Sequence, residues 1–404
     1  MSALGWLGTD DTARKLTPYI RTWPGESAHA RAVSALDVLA DIGTDTALML
    51  LNGIAQKVKF KGLQDKAREK IDKIAEARSL TTEELEDRLA PDLGLEEDGS
   101  VLLDFGPRQF RVGFDEALKP YVRDAEGKRL SDLPKPRQAD DAALAGAAVE
   151  RFKLLKKDAR TIASQQVTRL EWAMCSRRRW LPEHFVQFLA RHPLVRHLVQ
   201  RLAWGIYEVT DGENAGGKLL DCFRVAEDGS FTTGEDESFA MPEGANIRIG
   251  LPHALELPAQ TAAQFGQLFA DYELLQPFAQ LGRDTYALGA EEQALTALER
   301  WKGAVVPTGR VLGLVNKGWR RGQAQDGGGI WFFHKPLGRS RVVELTLTPG
   351  IIVGMVDEYP EQTLDTVSVG LPSSWGEIKS PESFATLDPV VTSELIRDLE
   401  SLRA

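Results

Sequence analysis

Apolar residues recur at three- and four-residue spacing through the first 90 positions and at two-residue spacing over much of the remainder, so the period itself divides the chain. Residues 9–20 predict a short helix ended by the Trp23-Pro24-Gly25 turn. Within 28–40, Ala32, Ala35, Leu36 and Leu39 share one side of a helix. Helices over 45–58 and 62–77 follow, the last repeating Leu63, Ala67, Ile71 and Ile74. Helices of this length on short polar turns must bury their stripes against one another, the arrangement found at the edge of a HEAT-like array. Thr81 with Glu84 makes a capping-box pattern that opens 83–90, and Pro91 closes it.

The period then turns to two. Residues 101–105 and 109–114 flank Gly106-Pro107, and 119–122 and 129–130 flank a turn at Asp124 to Gly127, which predicts a small antiparallel sheet. The acidic run Glu96-Glu97-Asp98 before it reads as a solvated loop. A helix over 140–175, the longest in the chain, carries Val149, Phe152, Leu155 and Ile162 on its apolar side. Pro182 and Pro193 each open another helix. Strands are predicted at 204–209, 221–226, 230–233 and 246–250, and helices at 259–272, 290–301 and 308–316. Strand patterns at 330–334, 341–348, 351–355 and 366–370 precede a terminal helix over 390–402, with no crossover helices between them, so the pairing is expected to be antiparallel. The fold class is therefore α+β, a HEAT-like helical N-terminal segment followed by mixed helix and antiparallel-sheet domains. Expected boundaries are a helical segment at 1–90, a β-rich connector at 91–135, a mixed core at 136–285 and a β-rich domain with its terminal helix at 286–404.

The stretch from Ser176 to Tyr207, SRRRWLPEHFVQFLARHPLVRHLVQRLAWGIY, holds the most unusual chemistry. Leu194, Val195, Leu198, Val199 and Leu202 form one helical stripe, and Arg196, His197, Gln200 and Arg201 the opposing one. The pattern reads as a hub for flanking segments and as a candidate anion site. A net charge of −10 argues against a surface basic everywhere, as nonspecific nucleic-acid coating requires, but leaves room for a local basic groove. With two cysteines, Cys175 and Cys222, a disulfide scaffold is excluded and packed thiols are expected. No secretory-signal pattern opens the chain, and charges interrupt its apolar runs before membrane-spanning length, so the expectation is a cytoplasmic protein without a membrane partner.

Three polar clusters are candidate ligand sites. Arg177, Arg178 and Arg179, with Arg196, His197 and Arg201, offer directional donors for phosphate; the competing reading pairs them with Asp271, Glu273 or other acids. Asp271 and Tyr272, followed by Gln276, Gln280 and Arg283, suit a polar ligand or acid–base work if a cleft unites them, against a buried connector. Trp319, Arg320, Arg321, Asp326 and His334 border a glycine-rich turn and suit stacking on a nucleobase, against a hairpin cap on its own domain. His184, His192 and His197 are spaced by eight and five residues, which matches no common zinc arrangement, so no metal and no cofactor are expected. No nucleophile elbow or phosphate-loop signature is present.

Beyond position 133 the segments SRRRWLPEHFVQFLARHPLVRHLVQRLAWGIY, FRVAEDGSF, RIGLPHALEL, FADYELLQPFAQLGR and NKGWRRGQAQDGGGI, in this order, resemble the MolR-like bacterial family, whose shared region is domain of unknown function 4132. Proteins like this often add helical repeats or a Trp-Gly-Arg module, and Gly318-Trp319-Arg320 departs from that module in order and setting. The resemblance implies no catalytic residue set. The leading expectation is a non-catalytic scaffold or recognition protein, possessing a protein partner and a regulatory role. The alternatives are an enzyme or sensor for a nucleotide or other phosphorylated, anionic small molecule, and a nucleic-acid-binding module.

Overall fold

A computed structural model describes residues 2–210, 216–325, 327–337, 340–374 and 376–403. The chain divides into two compact units, Met1–Pro252 with Glu256–Leu281 and His253–Leu255 with Gly282–Ala404. Helices and antiparallel sheets make up both, as the α+β class requires.

The first unit opens with helices α1 (Ser2–Leu7), α2 (Asp10–Thr22), α3 (His29–Ile42), α4 (Asp45–Lys57), α5 (Lys61–Ala77) and α6 (Thr82–Arg88). Each of α3 to α5 packs on its sequence neighbours, α2 packs on α3 and α4, and α3 also packs on α5. Every residue from 46 to 55 is buried, so α4 is enclosed on all sides instead of presenting one amphipathic stripe. The capping box at α6 forms as its spacing predicts: Thr81 Oγ1 accepts the Glu84 amide at 3.1 Å, and Glu84 Oε2 accepts the Thr81 amide at 2.8 Å.

Four short strands follow as a meander, β1 (Val101–Asp104), β2 (Gln109–Phe114), β3 (Pro120–Arg123) and β4 (Arg129–Leu130), in that spatial order. The 34-residue helix α7 (Ala142–Cys175), about 50 Å long at 1.5 Å per residue, is capped by the Asp141 carboxylate. Its buried positions, among them Phe152, Leu155, Ala159, Ile162 and Gln166, keep the three- and four-residue spacing of a face laid along the unit. After it come β5 (Arg179–Trp180), α8 (Pro182–Phe185), a π-helical turn at Val186–Ala190, α9 (Arg196–Val199), β6 (Trp204–Glu208), β7 (Lys218–Val225), β8 (Phe231–Thr232), β9 (Ile247–Gly250) and α10 (Ala259–Asp271). Five of these strands, in the order β5-β9-β6-β7-β8, form an antiparallel sheet.

The second unit contains α11 (Ala290–Ala294), β10 (Ala297–Leu298), β11 (Val305–Pro307), α12 (Thr308–Gly313), β12 (Arg320–Arg321), β13 (Gly329–Leu337), β14 (Arg341–Ile352), β15 (Glu361–Pro372), β16 (Ile378–Glu382) and α13 (Pro389–Glu400). Its sheet runs β10-β15-β14-β13-β12, and β11 and β16 also pair with β15. One face, with Phe333, Val343, Leu345 and Val367, packs in a single core with Leu395, Ile396 and Leu399 of α13.

Two sequence expectations are corrected. The helix expected over 290–301 stops at Ala294, because Ala297 and Leu298 pair with β15 and Leu298 and Trp301 enter the core. The strands expected at 341–348 and 351–355 are one strand ending at Ile352. β5 and β16 are short edge strands whose two and five residues are too few to show a period. No helix among the described residues is long and apolar enough to cross a membrane.

Candidate functional site

Helix α7 ends where Arg177 turns the chain in the left-handed region, φ 56°, and from there three successive arginines diverge. Arg178 reaches α6, where Asp87 accepts its Nη2 at 2.5 Å, Trp180 Nε1 at 3.0 Å and Arg169 Nη1 of α7. Asp87 is 4% exposed, and a single carboxylate thus joins α6, α7 and β5. Glu83 adds a longer contact to Arg178 Nε at 3.6 Å. Burial pulls the Arg169 guanidinium down to about 9, with the Arg178 charge acting in the same direction, and burial pushes the Glu86 carboxyl up.

Arg177 and Arg179 share a different acid. Glu256 Oε1 accepts Arg177 Nε at 3.2 Å and Arg179 Nη2 at 2.8 Å, while Arg179 Nε donates to the Gly216 carbonyl at 3.0 Å. The Arg179 guanidinium lies 3.5 Å from the centroid of the buried Tyr207 ring. It crosses the sheet over Gly250, where a Cβ would come within 2.6 Å of the arginine side chain, so any larger residue here would displace the arginine. The pairing is therefore internal, but with Asp87 and Glu256. The acids expected from the sequence lie elsewhere: Asp271 accepts Gln267 Nε2 at 2.7 Å, and Glu273 is an exposed residue at φ 52°.

The stripe 194–202 behaves as its period predicts on the apolar side, all five residues being buried. Its polar side is a set of clamps. Arg196 donates to the carbonyls of Glu97 at 3.0 Å and Glu227 at 2.8 Å; Arg201, 6% exposed, donates to those of Leu275 at 2.8 Å and Glu116. Four loops are thereby tied to one helical turn. His197 lies between the clamps, with its Nε2 buried and without a hydrogen-bond partner among the described residues. Burial, then Arg196 and Arg201, pull its pKa down to about 4.

A histidine whose folded pKa lies below its ordinary 6.5 stabilises the fold fully above that value and loses the contribution as pH falls towards 4. Urea unfolding of the first unit is expected to require less denaturant as pH drops through this window. His197→Gln should flatten the dependence, whereas parallel curves for the two proteins would contradict the buried neutral imidazole.

The second cluster separates. The Tyr272 hydroxyl donates to Asp236, Gln276 caps the amides of Gln280 and Leu281, and Gln280 is fully buried against the Ala203 backbone. Arg283 belongs to the second unit, where Glu394 accepts its Nε at 2.7 Å and its Nη2 at 2.6 Å and also accepts His253 Nε2 at 3.0 Å. In the third cluster Trp319 is 1% exposed and donates its indole N–H to Asp398 at 2.9 Å, so its ring is not a stacking platform. Arg321 is half-buried, Arg320 is exposed, and Asp326 lies outside the described residues.

A cleft that sequence reasoning missed lies among the N-terminal helices. It has a volume of about 710 Å³ and takes its walls from the starts of α2 and α4, the 91–94 loop and α7. Arg14 on its floor donates to Asp158 Oδ2 through Nε at 3.0 Å and Nη2 at 2.9 Å, and Thr44 Oγ1 donates to Asp10 Oδ1 at 2.6 Å. Arg151 donates to the Gly94 carbonyl at 3.0 Å, while Asp45 and Asp92 stand exposed on the rim. Asp10, Asp45, Asp92 and Asp158 against Arg14 and Arg151 leave the lining net negative. The volume is that of small-ligand and side-chain pockets, and the charge suits a basic group. Its only sequence trace is local, Thr9 and Thr44 each preceding an aspartate at a helix start. Among the described residues no group of three or more His, Cys, Asp or Glu is placed to hold a metal ion.

Fold and site together define an α+β protein whose basic motif ties its own segments together and whose open cleft lies on a helical face. Residues 127–319 match the family described as Domain of unknown function (DUF4132), and this stretch is thus similar to a family without an established function. Over 348 residues the chain is 41% identical to "Uncharacterized protein YehI" of Escherichia coli (strain K12), covering 86% of this chain and 28% of that relative's length. No solved structure matches the chain.

Proposed function

We propose that the chain is a recognition module of a MolR-like, regulatory protein, acting by binding without turnover, with the HEAT-like helices supplying the contact surface. The observation that carries this reading is the cleft between α2, α4 and α7, a concave surface of suitable size whose excess negative charge selects a basic protein segment. The arginines from 177 to 201 support it from below: their bonds to Asp87, Glu256 and four loop carbonyls hold the helical face to the sheet as one recognition surface. A cytoplasmic setting agrees with Cys175 and Cys222 forming no disulfide among the described residues.

A photo-crosslinking residue placed at Asp92 on the rim, compared with one at the exposed Lys128, tests the reading in cells. Discrete protein adducts from position 92, reduced at least tenfold by Asp45→Lys, are expected. Equal adduct patterns from both positions, together with saturable small-molecule turnover by the purified chain, would overturn it.

A further inference from the structure

In the second unit the strand register places Arg320 of β12 opposite His334 of β13, His334 opposite Glu344 of β14, and Glu344 opposite Ser368 of β15. Directly opposed residues leave the same face of an antiparallel sheet, with Cβ atoms about 4.5–5.5 Å apart. The row thus runs from an exposed guanidinium to an imidazole to a buried carboxylate. Glu344 is 6% exposed and is held in place by the Ile378 amide, which donates to its Oε2 at 3.3 Å. The same Oε2 lies 2.9 Å from His334 Nε2, and the imidazole rests against the Phe332 ring with centroids 4.9 Å apart. The His334 side chain stays 14% exposed, and Arg320 is exposed, its guanidinium making neither an ion pair nor a hydrogen bond among the described residues.

A carboxylate on Nε2 fixes the tautomer: Nε2 carries the proton and Nδ1 is left to accept or, when the ring is charged, to donate. Glu344 also fixes the orientation of the ring, as a buried carboxylate does behind a general-base histidine. An exposed arginine beside such a ring matches one ligand chemistry above others. We infer that Arg320 and His334 form a binding subsite for a phosphate group, free or as a monoester.

The proton count distinguishes phosphate from carboxylate. A phosphomonoester keeps its second proton until near pH 6, and a protonated phosphate oxygen donates to Nδ1 while the guanidinium takes the remaining oxygens. A carboxylate has no proton to contribute at neutral pH and gains only the Arg320 contact. The site lies outside the cleft of the recognition reading and does not depend on it.

The test is an NMR titration of the His334 ring resonances in the full chain, assigned through His334→Gln, with inorganic phosphate, methyl phosphate and acetate as probes. Saturable shifts with phosphate, at least tenfold weaker binding in Arg320→Gln and a tenfold or greater preference over acetate are expected. Methyl phosphate binding as well as inorganic phosphate assigns a monoester; binding of inorganic phosphate alone assigns the free anion. No saturable shift, an acetate affinity equal to that of phosphate, or an unchanged affinity in a folded Arg320→Gln protein would overturn the site.

Discussion

Asp87→Ala is expected to lower the unfolding free energy of the first unit by about 3–5 kcal/mol, the usual consequence of removing one partner from a buried ion pair. The loss is large because the carboxylate answers two guanidiniums and an indole at once, with Arg169 and Arg178 only 6% and 10% exposed at their side chains. Without it both cations keep their desolvation penalty and lose their nearest counter-charge. Asp87→Asn should fall between alanine and wild type, since the amide oxygen still accepts hydrogen bonds but carries no charge. Urea denaturation followed by far-ultraviolet circular dichroism measures this. A change under about 1 kcal/mol for the alanine variant would mean that the network is not buried as described.

Glu394→Ala should cost the second unit a similar about 3–5 kcal/mol. Glu394 holds Arg283 through two hydrogen bonds and the fully buried His253 through a third. Burial alone would push its carboxyl up, but the bonds from Arg283 and His253 overcome that and hold it well below the ordinary carboxylate range. A depressed carboxylate contributes fully above its unfolded pKa, near 4.5, and loses the contribution as pH falls further. Amide exchange in α13 should therefore stay slow from neutral pH to about 5 in wild type and accelerate in Glu394→Ala, by a factor of 100 or more at about 3 kcal/mol. Equal protection in the two proteins would contradict the assignment.

Local order was legible wherever a period or a cap operates over a few residues. The α6 capping box, the four-strand meander, the long α7 and the five buried residues from Leu194 to Leu202 all follow from spacing that neighbouring residues share. What was not legible is long-range. Asp87 lies 82 positions from Arg169 and 91 from Arg178, and Glu256 lies 79 from Arg177, so no window of sequence links them. The sequence does show that the arginines need acids, but the Asp271 and Glu273 it suggests are carried elsewhere by the end of α10. The cleft was hidden for the same reason, since its walls come from positions about 8, 44, 92 and 155, each unremarked on its own. Residues 290–301 were misread because an open edge of β15 captures Ala297 and Leu298, a tertiary partner that outweighs helical propensity.

The arginine motif holds the first unit together through Asp87. A double-mutant cycle between Asp87→Asn and Arg178→Gln tests it directly, read on the 5-fluorotryptophan resonance of Trp180, whose indole N–H donates to the same carboxylate. The predicted coupling is about 2 kcal/mol, within the range for contacting charged residues. Additive single-variant effects, with the Trp180 resonance unmoved by Asp87→Asn, would contradict it.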